Sequence, residues 1–158
     1  MALLSVNEIR EYGSGDSTQV KFFSLKDDND EAVVRFMYKD ASDFEILSVH
    51  TVLLGGKSRK VNCLRTVKDP VDRCPLCAIN TPIQQRFFIK VLEYEKGTDG
   101  EIIPVPKVWE RSATYAIKLA SYINNFGPLD DVICKIIRHG KFGSTKTDYE
   151  IIPNLSKN

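Results

Sequence analysis

The sequence predicts a mainly β protein, a small five-stranded barrel with one helix inserted between its late strands. Three observations carry that expectation. Short runs of β-branched and aromatic residues recur along the chain, turn residues separate them, and the hydrophobic period becomes helical only over residues 112–127. The 158 residues, 42% hydrophobic and 27% charged, are enough for one domain with a buried core over 1–158.

Taken in order, VKFFSL (20–25) and AVVRFMY (32–38) read as strands on either side of the polar turn DDND. FEILSVHTVLL (44–54) and KSRKVNCL (57–64) flank Gly55-Gly56, which predicts a hairpin. RFFIKVLEYE (86–95) ends at the turn KGTDG, and EIIPVPKVWE (101–110) resumes the extended chain. Pro104 and Pro106 lack a ladder donor, which pushes that second run to a sheet edge. In SATYAIKLASYINNFG (112–127), Tyr115, Leu119, Tyr122, Ile123 and Phe126 recur at helical spacing. Ser112 is placed to cap this helix and Gly127-Pro128 to stop it. DVICKIIRHG (131–140) and TKTDYEII (145–152) close the chain as a strand pair around KFGS.

No run reaches the apolar length that crosses a membrane, and MALLSV is too short for a signal segment. A cytosolic setting follows as an expectation, and with it reduced thiols rather than a disulfide framework. The net charge of +1 selects no partner, but its distribution does. Residues 57–90 hold eight basic residues against two acids, so the rest of the chain carries a net −5. Lys135, Arg138, Lys141 and Lys146 form a second basic cluster, while acids crowd into KDDNDE (26–31) and DASDFE (40–45). Such segregation is the footprint of a polyanion partner, although solvated strand faces give the same pattern.

His50, Cys63, Cys74 and Cys77 fall within 28 residues as His-x12-Cys-x10-Cys-x2-Cys. Zinc takes four nitrogen or sulfur ligands in a tetrahedron, and Cys-x-x-Cys supplies two adjacent corners from one turn. Residues 46–82 are thus expected to form a small zinc-binding subdomain with one structural Zn2+. Three cysteines and a histidine leave no position for a reactive water. The rival readings are a core Cys63, an ordinary strand His50, and a redox pair at Cys74 and Cys77. The redox role expects a strand leading into the motif and a helix leaving it, whereas here a charged loop precedes it. Counting back from Gly55-Gly56, Cys63 falls opposite Val49 or Leu47, so a longer loop or a bulge is expected to join it to His50. Cys134, inside VICKII, reads as core, and His139 beside Gly140 as a turn residue or a phosphate contact.

Along RFFIKVLEYE, alternation places Phe87, Ile89 and Val91 on one face and Arg86, Phe88, Lys90, Leu92 and Tyr94 on the other. The second face interleaves cations with rings, as single-stranded nucleic acid requires. Lys107 and Trp109, followed by Arg111, repeat the pattern on the next strand. No phosphate-binding glycine loop, Ser-His-Asp set or paired carboxylate stands out, so no enzyme is expected.

These features together resemble the zinc-containing single-stranded-DNA-binding proteins of tailed phages, over roughly residues 20–152. The resemblance implies an OB-fold and makes His50, Cys63, Cys74 and Cys77 the zinc ligands. It implies a DNA groove lined by Arg86, Phe88, Lys90, Tyr94, Lys107, Trp109 and Arg111. Lys57, Arg59 and Lys60 in the hairpin, and Lys141 and Lys146 in the last turn, would add phosphate contacts. The function implied is sequence-tolerant binding in phage replication, recombination and repair, in the infected host's cytoplasm beside phage replication proteins. The family's short basic, hydroxyl-bearing start has no counterpart in MALLSVNEIREYG. The alternative function is a zinc-ribbon adaptor that binds another protein.

Overall fold

The computed structural model describes residues 21–154. They form an open antiparallel sheet of seven strands. These are β1 (Glu31–Phe36), β2 (Ile46–Leu54), β3 (Lys57–Asn62), β4 (Ile83–Lys96), β5 (Ile102–Ser112), β6 (Ile133–His139) and β7 (Asp148–Pro153). A short helix, α1 (Pro75–Ala78), precedes β4, and a longer one, α2 (Thr114–Phe126), follows β5. The strand order is β3-β2-β4-β1-β6-β7, with β5 also on β4. Where five strands were expected, seven form among the described residues, and the β2–β3 hairpin continues the same sheet.

The long β4 organises the sheet. Its first part pairs with β2, from His50 opposite Ile83 to Ile46 opposite Phe87. Its later part pairs with β1, from Phe36 opposite Val91 to Val34 opposite Glu93. Between the two, the buried Tyr38 hydroxyl accepts from the Lys90 amide at 2.9 Å and donates to the Phe88 carbonyl at 3.3 Å. That side chain stands in for backbone partners that β4 lacks there. Along its other edge β4 is paired with β5 from Arg86 opposite Ser112 to Lys96 opposite Ile102.

One face of the sheet is the core. Val34, Phe36, Phe87, Ile89, Val91, Cys134, Ile136 and Ile151 pack there beneath Ala116 and Leu119 of α2. At its centre Trp109, 2% exposed, meets the rings of Phe23, Tyr115 and Tyr149 edge-on at 5.5, 5.6 and 5.1 Å. Removing so large a buried side chain leaves a cavity that the three rings cannot fill. Trp109→Ala is therefore expected to cost about 3–5 kcal/mol in denaturant unfolding, and a loss near zero would contradict this placement.

The strand expected over 20–25 is reduced, within the described residues, to a single parallel bridge between Phe22 and Val108. Phe23 N–H bonds the Val108 carbonyl at 2.8 Å and Val108 N–H bonds the Lys21 carbonyl at 2.9 Å, covering the outer edge of β5. This edge position suits Pro104 and Pro106, which lie within β5. Ser112 does not cap α2, because it is still part of β5. Ala113 occupies the N-cap without a side-chain bond, and the Ser112 and Thr114 hydroxyls meet at 2.6 Å. Gly127, at φ 86°, ends α2 in a conformation that favours glycine, with its N–H on the Ile123 carbonyl. Among the described residues no helix is long and apolar enough to cross a membrane.

Candidate functional site

Gly55 and Gly56 have φ of 58° and 76°, the left-handed pair that a tight two-residue hairpin turn requires. This turn sets Leu54 opposite Lys57 and, further along, His50 opposite Val61 and Val49 opposite Asn62. One step beyond, Cys63 N–H donates to the Ser48 carbonyl at 2.8 Å. Cys63 is thus across from Ser48, which shares a sheet face with His50 two residues on. Diagonal neighbours of this kind lie within reach of each other. No longer loop or bulge is needed, which corrects the expectation from the sequence.

Beyond Cys63 the chain turns back. The Asp69 carboxylate accepts from the Thr66 amide and hydroxyl at 2.8 and 3.1 Å, and Pro75 opens α1 directly after Cys74. The short helix returns Cys77 beneath His50. The four ligand atoms of His50, Cys63, Cys74 and Cys77 lie within 4.8 Å of one another. His50 Nε2 is 3.5 Å from Cys77 Sγ and 3.6 Å from Cys74 Sγ, and Cys63 Sγ is 3.6 Å from Cys77 Sγ. A tetrahedron with metal–sulfur bonds near 2.3 Å and metal–nitrogen bonds near 2.1 Å has edges of roughly 3.6–3.8 Å. The residues fit one four-coordinate metal ion.

The surroundings prepare these groups to be ligands. His50 is fully buried, and its Nδ1 lies 3.1 Å from the Pro82 carbonyl, which assigns the proton to Nδ1 and turns the Nε2 lone pair to the sulfurs. Backbone amides, first that of Leu64 and then that of Cys77, pull the Cys74 thiol down to about 6. For Cys63 the Arg65 amide also pulls downward, but burial and the thiols of Cys77 and Cys74 outweigh it, and the group is pushed up. Arg65 Nε donates to Cys77 Sγ at 3.1 Å. Three sulfurs and an imidazole nitrogen crowded this closely, with Cys74 favoured as the thiolate, suit a cation among them. Cys134 has a different environment: it lies in the core, and burial pushes it up to about 11.

The proposed groove residues divide between the two faces of the sheet. On β4, Phe87, Ile89 and Val91 are buried, and Arg86, Phe88, Lys90, Leu92 and Tyr94 alternate with them. On β5, however, Arg111 is opposite Phe87, Trp109 opposite Ile89 and Lys107 opposite Val91. Directly opposed residues share a face, so Lys107, Trp109 and Arg111 belong to the core side. They do not join Phe88 and Tyr94 in one groove. Trp109 is core, Lys107 ion-pairs with both Glu93 and Glu95, and Arg111 lies over the Tyr149, Trp109 and Tyr115 rings at 4.8, 5.5 and 5.9 Å.

On the outward face Phe88 and Tyr94 are half-buried, and the Arg35 guanidinium lies 5.9 Å over the Tyr94 ring. Lys60 and Arg86 converge on Glu110 at 2.5 and 3.1 Å, Lys90 pairs with Glu45 at 3.0 Å, and Lys135 with Glu31 at 3.5 Å. Burial raises the Glu110 carboxyl, but Lys60 and Arg86 outweigh it and hold the group below its ordinary range. Lys57 and Arg59 are exposed on the hairpin, and Lys141 and Lys146 are exposed in the β6–β7 turn. His139 pairs with Glu150 at 2.9 Å.

Several of these partners escape the sequence reading. Arg35 could have been found, because it occupies the outward position between buried Val34 and Phe36. Nothing local marks Arg65, Tyr38, Glu110 or the Pro82 carbonyl. Compared with known proteins, the chain matches no family model and no curated sequence.

Proposed function

We propose that the protein binds single-stranded DNA without strong sequence preference, on the outward face of β4 and β1, and that a structural zinc holds the adjoining hairpin. The observation that carries this reading is the outward row of Arg86, Phe88, Lys90 and Tyr94, with Arg35 over Tyr94. Unstacked bases have ring faces to offer such rings, and a duplex does not. Zinc is favoured among metals by three sulfurs and one imidazole with tetrahedral edge lengths. With every coordination position taken, the role is structural and the protein non-enzymatic.

An OB-like barrel is the finer form of this fold. It is supported by Trp109 of β5 and Tyr149 of β7 meeting across the core at 5.1 Å. The resemblance noted from the sequence adds the biological setting: phage replication, recombination and repair in the infected host's cytoplasm, with phage replication proteins as partners.

The test is the anisotropy of a labelled single strand and of the matching duplex at two salt concentrations. Preferential, salt-sensitive single-strand binding is expected, and equal affinity for the duplex would overturn the reading. Glu110 sharpens the test, since it neutralises Lys60 and Arg86. Glu110→Gln frees both cations, and the slope of log K against log salt should steepen by about 0.7 for each one that reaches a phosphate.

A second reading is favoured by a different observation. Leu53, Leu64, Val67 and Ile79, on the hairpin and the ligand loop, are 71–86% exposed. Four such exposed apolar side chains around the metal cluster suit a protein-binding adaptor. Absence of any single-strand binding would select that reading.

A further inference from the structure

A cleft of about 610 Å³ opens between residues 24–26, the end of β5 and the β6–β7 turn. Arg111, Arg138, Ser24, Thr147, Tyr149 and Phe142 line it, and among the described residues no carboxylate does. Among the described residues neither arginine has an ion-pair partner.

Arg138 is 9% exposed. Its Nε donates to the Gly140 carbonyl at 2.9 Å. One terminal nitrogen donates to the Leu25 carbonyl at 2.9 Å and the Tyr149 hydroxyl at 3.2 Å. The other donates to the Lys141 carbonyl at 3.1 Å and the Thr147 hydroxyl at 3.3 Å. These acceptors are all neutral and take all five of its N–H groups, so the side chain is held rigidly with no carboxylate bonded to it. Arg111 adds a second guanidinium, laid over Tyr149 at 4.8 Å with its Nε on the Glu110 carbonyl. The acids of the nearest turn are bonded to backbone amides and not to either arginine. Asp28 accepts from the Gly140 amide, and Asp30 from the amides of Lys26 and Asp27.

A desolvated charge without a counter-ion is costly, and an anion bound beside it relieves that cost. Arg138 has spent all five N–H groups on the protein and acts on an anion through its charge, while the terminal nitrogens of Arg111, with hydroxyls around them, supply donors that match a phosphate. The Phe142 ring, 77% exposed at the rim, offers a face to a base. The cleft volume lies in the range of small-molecule sites. We propose that this cleft is a nucleotide-phosphate site, separate from the outward face of β4. It does not rest on the single-strand reading, because it uses none of Arg35, Phe88 or Tyr94.

Calorimetric titration with deoxyadenosine monophosphate, deoxyadenosine and inorganic phosphate tests the assignment. Saturable binding of the monophosphate is expected, with competition by phosphate and no heat from the nucleoside. Arg111→Gln should weaken the monophosphate about tenfold, the loss of one charge-assisted contact. Phe142→Ala, on the exposed turn, should weaken the monophosphate but leave phosphate unchanged, and Phe88→Ala should change neither. Competition by a 5′-phosphorylated oligonucleotide, but not by its unphosphorylated form, would assign the phosphate to a strand end. Competition by neither would assign it to the free nucleotide. The proposal is overturned by the absence of saturable monophosphate binding, by binding indifferent to both Arg111→Gln and Phe142→Ala, or by binding lost in Phe88→Ala.

Discussion

Cys77→Ser is expected to abolish binding of the single metal ion and to melt the hairpin tip and ligand loop, residues 57–82, while the β1–β6–β7 side of the core stays folded. Cys77 Sγ is the hub of the cluster, 3.5 Å from His50 Nε2, 3.6 Å from Cys63 Sγ and 3.1 Å from Arg65 Nε. Serine keeps the side-chain shape but supplies a poor zinc ligand, so the effect reports ligation rather than packing. Structural zinc contributes about 10–16 kcal/mol to the folding of small zinc-finger peptides. Little else holds this segment. Leu64, Val67, Val71 and Ile79 are all exposed, and Cys74 and Cys77 are its buried apolar side chains. The core has its own cluster around Leu119, Trp109 and Ile136 and does not depend on the metal. Metal analysis together with hydrogen exchange checks the prediction. Full metal content in the serine variant, or global unfolding, would contradict it. Treating the unaltered protein with a chelator should reproduce the same local loss of protection.

The second large effect falls on DNA. Phe88→Ala and Tyr94→Ala should each weaken single-strand binding by about 1–3 kcal/mol, the scale of one base stacked on one ring. Combined, they should reduce affinity by at least about thirtyfold. Both rings are half-buried and stand apart from the residues packed around Trp109, so the double variant should stay folded. Lys107→Gln is the matched control. Lys107 lies on the other face between Glu93 and Glu95, so single-strand affinity should not change. A drop in affinity with Lys107→Gln, or none with the ring variants, would move the binding surface away from the outward face. Anisotropy titrations at fixed salt distinguish these results.

What could be read from the sequence, and what could not, follows from the range of each interaction. The burial of Phe87, Ile89 and Val91 was legible, because alternation within one strand is local. The phase of β5 relative to β4 was not, since it depends on the register across KGTDG, and a shift of one residue exchanges the faces. That is why Lys107, Trp109 and Arg111 looked like a second binding row and instead face the core. The clustering of His50, Cys63, Cys74 and Cys77 was suggested by their spacing, although spacing alone left open a core Cys63 and an ordinary strand His50. The diagonal placement of His50 and Cys63 required the register set by Gly55 and Gly56.

Charge was the least legible feature. The acids that Lys60, Arg86 and Lys90 meet are remote in sequence, since folding brings Glu110 to the first two and Glu45 to the third. Segregation along the chain is therefore not segregation in space. The reverse holds at Arg138, which lies near acids in the fold but is bonded only to neutral acceptors.

The central claim is that a single strand lies on the outward face with its bases against Phe88 and Tyr94. Photocrosslinking a strand that carries 5-iododeoxyuridine, followed by mass mapping of the attached peptide, tests it most directly. Attachment within β4 at Phe88 or Tyr94 is the predicted result. Attachment only in the β6–β7 turn or the ligand loop, with β4 unmodified, would contradict it.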